Sequence, residues 1–139
     1  MPHLVILYSG NLDHEPDARI GALCQALRAT MVAARDEADK PVFPIGGVRV
    51  LAYPAPHHAV ADGSEDRAFV YLNLRMARGR SADTVRGTGE ALAATTRAHF
   101  AALMARRALG LTLQVDEGPE VFDAKIGNLH AVFATAPKP

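Results

Sequence analysis

Apolar residues run unbroken from Leu4 to Tyr8, the pattern of a strand covered on both faces. Ser9-Gly10-Asn11 interrupts the run. Ile20, Leu23, Cys24, Leu27, Met31 and Ala34 then recur at three- and four-residue spacing, with Arg19, Gln25 and Arg28 between them, which predicts an amphipathic helix. Asp13 is the expected cap of that helix, Pro16 fits its first turn, and Pro41 is expected to end it after the charged stretch Asp36 to Lys40. Pro44-Ile45-Gly46-Gly47 predicts a turn and Val48 to Tyr53 a second strand. Pro54 to Ser64, with its prolines and Asp62-Gly63, is expected to be a loop, and Ala68 to Met76 a third strand. Ser81 is a good N-cap with Asp83 in the first turn behind it. Val85, Leu92, Thr96, Phe100, Leu103 and Arg107 trace the buried face of a second helix, which Gly110 is expected to close. Leu111, Leu113 and Val115 alternate as a fourth strand. A short last strand is expected over Leu129 to Phe133, with Ala134 to Pro139 frayed.

The order strand–helix–strand thus occurs twice, in halves of like plan (1–60 and 61–133), within one domain spanning 1–139. Each long crossover makes its flanking strands parallel. The predicted class is α/β, in the two-layer α+β sense: tandem β-α-β units forming a four-stranded sheet with two helices on one face. Two helices cover only one face, yet the first and third strands are apolar almost throughout. Other copies of the chain are the simplest cover for the second face, so an obligate homo-oligomer is expected.

Composition narrows the chemistry. Fifteen basic residues balance fifteen acidic ones, so no net field attracts nucleic acid or an anionic membrane. Arginine far outnumbers lysine among the basic residues, which favours anionic small molecules as ligands because guanidinium binds carboxylates in a fork. The single cysteine, Cys24, lies on the helix stripe and reads as a buried, inert thiol. There is no apolar run of membrane-spanning length and no basic n-region ahead of an apolar stretch, so a cytoplasmic protein is expected.

Pro2 directly precedes the first strand. With Met1 trimmed it carries a free secondary amine on a rigid ring. An α-amino group titrates near pH ~8, and burial or neighbouring cations lower that further, leaving a neutral base near pH 7. Two arginines stand out as partners. Arg49 interrupts the apolar strand Val48-Arg49-Val50-Leu51, where a charge needs a carboxylate such as Asp66 or Asp116, or else a wet pocket. Arg80 sits at a strand-to-helix turn beside backbone N–H groups that favour anions, or is simply a solvated turn residue. Tyr53 and Tyr71 are weaker candidates for donors to a substrate oxygen. Adjacent His57 and His58 lack the spacing that aims two imidazoles at one metal, and His130 reads as a hydrogen-bonded interface residue. Phosphate loops, dinucleotide fingerprints, nucleophile elbows and zinc spacings are absent from the sequence, so neither metal nor cofactor is expected.

Pro2-His3, Gly47-Val48-Arg49, Ala61-Asp62-Gly63, Ala68-Phe69-Val70, Gly79-Arg80-Ser81, His99 to Met104 and Asn128 to Phe133 together resemble the 5-carboxymethyl-2-hydroxymuconate Δ-isomerase family. That family belongs to the tautomerase superfamily, with 4-oxalocrotonate tautomerase and macrophage migration inhibitory factor. The resemblance covers nearly the whole chain. It implies a homotrimer of tandem β-α-β units with sheets facing a threefold axis, and a cofactor-free proton shift in the catabolism of aromatic acids. The family's proline base falls on Pro2 and its two substrate-binding arginines on Arg49 and Arg80. Phe69, Tyr71 or residues of a neighbour would supply an apolar wall. The substrate implied is an unsaturated di- or tricarboxylate. A dehalogenase- or hydratase-like relative, or a trimeric binding module without turnover, is the alternative.

Overall fold

A computed structural model describes residues 1–134. Its elements are β1 (His3–Ser9), α1 (Ile20–Ala33), β2 (Arg49–Ala55), β3 (Ala68–Ala77), α2 (Ala82–Met104), β4 (Leu109–Gly118) and α3 (Leu129–Ala134). Two 3-10 turns, Gly10–His14 and Ile45–Gly47, follow β1 and precede β2. The four strands form one mixed sheet in the order β2-β1-β3-β4. β1 runs parallel to β2, β3 parallel to β4, and the two halves meet antiparallel between β1 and β3. The architecture is therefore the tandem β-α-β sheet that the periodicity predicts.

Alternation decides the core. Leu4, Ile6 and Tyr8 of β1 and Val70, Leu72, Leu74 and Met76 of β3 turn to one face and are buried against Leu23, Leu27 and Met31 of α1 and Leu92, Phe100 and Leu103 of α2. Thr30 and Thr95 share a 2.8 Å hydroxyl bond that joins the helices, and His99 Nε2 lies 2.8 Å from the Ala18 carbonyl. The Ser81 cap forms as expected, its Oγ accepting from the Thr84 N–H at 3.0 Å. Among the described residues no helix is long and apolar enough to cross a membrane.

Several boundaries differ from the sequence reading. Asp13 caps no helix: its carboxylate accepts a 2.7 Å bond from the Tyr8 hydroxyl, which otherwise would be buried without a partner. Helix α1 instead starts at Ile20, after Pro16 and after Arg19, whose φ of 41° is left-handed and turns the chain into the helix. It stops at Ala33, well before Pro41, because Arg35 and Pro41 pair across a tight turn that Asp36 organises by accepting from the Ala38 and Lys40 N–H groups. Gly110 does not close α2 but lies within β4, paired with Phe69; a Cβ there would come within 3.1 Å of the Phe69 ring. Leu129 to Phe133 is helical, not extended. Of the stretch expected to fray, Ala134 ends α3 and 135–139 lies outside the described residues.

Burial, with Asp13 accepting its proton, pushes the Tyr8 phenol up to about 12. The raised value stabilises the folded state fully below the ordinary tyrosine pKa near ~10, and that contribution disappears as pH climbs through the folded value. In an ultraviolet titration Tyr8 is expected to give a late ionisation phase at about 12. Persistence of the late phase in Tyr8→Phe would refute the assignment.

Candidate active site

The register brings one end of each strand to a common edge. His3 pairs with Arg49 on one side and Arg75 on the other, and Arg75 pairs with Asp116. The starts of β1 and β2 therefore lie beside the finishes of β3 and β4. Pro2 stands at that edge, one residue before His3. The turn bearing Arg80 leaves from the same edge, three residues after Ala77 ends β3.

Pro2 is buried. A Cβ built on Gly47 would lie 3.6 Å from Pro2 Cδ and from His130 Cε1, and 3.2 Å from Pro44 Cγ. Two prolines and a histidine thus close on a residue without a side chain. Arg49 folds back onto the same turn, its Nη1 donating to the Gly46 carbonyl at 2.8 Å and to the Val48 carbonyl at 3.1 Å. Its Nη2 lies 4.0 Å from Met1 Sδ. Arg80 holds the other end of this segment: Nε and Nη2 donate to the Val42 carbonyl at 3.3 and 2.9 Å, and Nη1 to Ala77 at 3.0 Å. Its guanidinium carbon sits 5.2 Å from the centre of the Phe43 ring. Both arginines therefore lean on one stretch, Val42 to Val48.

Among the described residues neither arginine is ion-paired with a carboxylate. The partners considered for Arg49 are taken elsewhere: Asp66 pairs with Arg67, and Asp116 accepts from Asn73. Arg80 is not a merely solvated turn residue either, given its three backbone bonds. Burial first, then the positive charges of the N-terminus and Arg49, hold the His3 imidazole below the usual histidine range. Acidic groups are present at this edge, Asp123 acting against the lowering of His3 and Glu120 lying 3.9 Å from Arg75. Among the described residues, however, Arg49 and Arg80 themselves have no carboxylate partner, and such cations disfavour a further positive charge and attract a carboxylate.

Phe69 and Tyr71 are not brought to this edge within one chain. Tyr71 pairs with Leu7, four residues along β1 from His3, or about 13 Å at strand rise. They belong to the opposite end of the open face, where Leu7 and Tyr53 are half exposed. The Tyr71 hydroxyl donates to Gln114 Oε1 at 2.9 Å. The open face is thus charged at the Pro2 end and apolar at the other, rather than apolar throughout. His58 turns Nδ1 to the Ala55 carbonyl at 3.0 Å, and the described residues hold no group of three or more side chains that could bind a metal. Cys24 is only partly buried rather than fully so, and that burial raises its thiol, which favours the protonated, unreactive form. His130, expected as a hydrogen-bonded interface residue, has its Nε2 3.3 Å from Met1 Sδ, beside the Pro2 edge. The adjacent glycines at 46 and 47 were the one signal of a close approach there.

This antiparallel pairing of two β-α-β units is a tautomerase-like fold. The fold recurs in an asymmetric trimer of fused wild-type 4-OT, with a TM-score of 0.60 at 14% identity, covering 95% of this chain and 98% of that one. Residues 2–133 match the model of 5-carboxymethyl-2-hydroxymuconate isomerase, and the chain belongs to that family of isomerases. It is 32% identical over 133 residues to the Escherichia coli 5-carboxymethyl-2-hydroxymuconate Delta-isomerase, covering 96% of this chain and 99% of the relative. A crystal structure of a 5-carboxymethyl-2-hydroxymuconate delta-isomerase superposes with a TM-score of 0.91 at 53% identity, over 99% of this chain and 96% of that one.

Proposed function

We propose that the chain is a cofactor-independent enol–keto isomerase acting on an unsaturated di- or tricarboxylate of the 2-hydroxymuconate type, with Pro2 as its base once Met1 is removed. The observation that carries this reading is the placement of buried Pro2 beside Arg49, a guanidinium without a carboxylate partner among the described residues. The neutral imino nitrogen takes the proton of the 2-hydroxyl. Electrons shift through the diene, and the same proton is returned to C5, leaving the 2-oxo-3-ene. Arg49 and Arg80 hold carboxylates and stabilise the oxygen charge of the dienolate. Their charge also disfavours protonation of the amine, so binding strength and basicity rise together. No metal or cofactor is required, because substrate and product differ only in where one proton sits.

The working unit is a homotrimer whose open faces pack inward. Half-exposed Tyr53 and Leu7, in register with partly buried Tyr71, support this, as does the trimeric assembly of the fused 4-OT structure. In such a trimer Phe69 and Tyr71 reach a site only from a neighbouring copy. The reading is tested with protein whose intact mass lacks Met1, mixed with a 2-hydroxymuconate-type dienol while its ultraviolet absorbance is followed. Faster ketonisation than in buffer is expected. Its absence in Met1-free protein sinks the proposal.

A further inference from the structure

Gly46 and Gly47 do not have positive φ angles, so glycine is not needed there for backbone conformation. It is needed for room. A Cβ on Gly46 would stand 3.0 Å from His130 Cα and Nδ1, closer than side chains ordinarily approach. The bare turn lets α3 seat with the Nδ1 edge of the imidazole against the backbone. The opposite nitrogen, Nε2, faces the N-terminus. There it and Arg49 Nη2 flank one atom, Met1 Sδ, at 3.3 and 4.0 Å. A thioether is a weak acceptor, a poor match for a guanidinium and for an imidazole nitrogen that donates in its Nε2–H tautomer, both aimed at the same place. Trimming Met1 vacates that position beside the Pro2 nitrogen, and two converging donors are what grips a carboxylate.

We propose that His130 is a third substrate-binding residue, which together with Arg49 holds the carboxylate nearest the reacting enol. The inference rests on the reading of Pro2 as a trimmed N-terminus, and it is tested by binding rather than turnover. The probe is trans,trans-muconate, a diene dicarboxylate with no enol, titrated calorimetrically into Met1-free protein. His130→Ala is expected to weaken muconate about tenfold, the scale of one hydrogen bond to a charged group. His130→Gln, whose amide nitrogen reaches the position of Nε2, is expected to bind within about threefold of the native protein. With the dienol, KM should follow the same order while kcat changes little. Unchanged muconate binding in His130→Ala overturns the proposal, as does no binding by the native protein, or equal loss in the Gln and Ala variants, which assigns the ring to packing alone. Failure of the Pro2 reading looks different: full dienol turnover in Pro2→Ala, with muconate binding still dependent on His130.

Discussion

Protein that retains Met1 is expected to be inert towards the dienol, and Pro2→Ala to lose about 10²-fold or more in kcat/KM, the usual worth of a positioned general base. With Met1 in place the proline nitrogen is a tertiary amide. Its lone pair is delocalised into the carbonyl and cannot take a proton. The Met1 side chain also lies between Arg49 and His130, where the substrate carboxylate is placed. Both effects act together, so partial activity is not expected. Pro2→Ala keeps an α-amine but loses the ring whose Cδ lies against Gly47. Its amine then samples many orientations, and proximity is lost along with base strength. The measurement is initial rate against intact mass for each preparation. Rates in Pro2→Ala equal to the native rates would remove Pro2 from the chemistry.

The second large effect separates the two arginines. Each alanine variant is expected to lower kcat/KM by about 10²-fold, as does loss of one preorganised donor to a developing oxyanion. Their stabilities should diverge. Arg80 spends three N–H groups on the carbonyls of Val42 and Ala77 and lies over Phe43, so it ties the crossover before β2 to the turn after β3. Its removal leaves the Val42 carbonyl unsatisfied and is expected to cost about 1–2 kcal/mol, or several degrees in Tm. Apart from the long Nη2 contact to Met1 Sδ, Arg49 bonds among the described residues to carbonyls of its own turn, one and three residues away, through Nη1, so Arg49→Ala should melt close to the native protein. Thermal melts of both variants decide the point. Equal melting temperatures would mean that Arg80 is not a structural clamp, and full activity in either variant would remove that arginine from the site.

Much of this was legible in local pattern. The stripe from Ile20 to Met31 faces the core, Ser81 caps α2, and the alternation of Leu111, Leu113 and Val115 is a strand. Arg49 stood out because a charge in an apolar strand demands an explanation. Its ion-pair alternatives, Asp66 and Asp116, could be set aside only once each was seen bonded elsewhere. Asp13 misled because its carboxylate has two possible uses, and the stronger demand came from a buried hydroxyl five residues earlier. The stretch from Leu129 to Phe133 misled because a run so short has no periodicity to separate helix from strand. Its conformation depends on seating against a turn more than eighty residues upstream.

The sequence by itself determined the order of the sheet strands and the two long helices and the buried face of each of those helices, because these depend on neighbours three or four positions away. Only the tertiary structure decided who meets whom. The antiparallel join of β1 and β3 puts the Arg80 turn at the Pro2 edge and sends Phe69 and Tyr71 to the far end. Two glycines gave His130 its seat beside the N-terminus. Register and close approach are set by contacts between residues distant along the chain, and no local pattern encodes them.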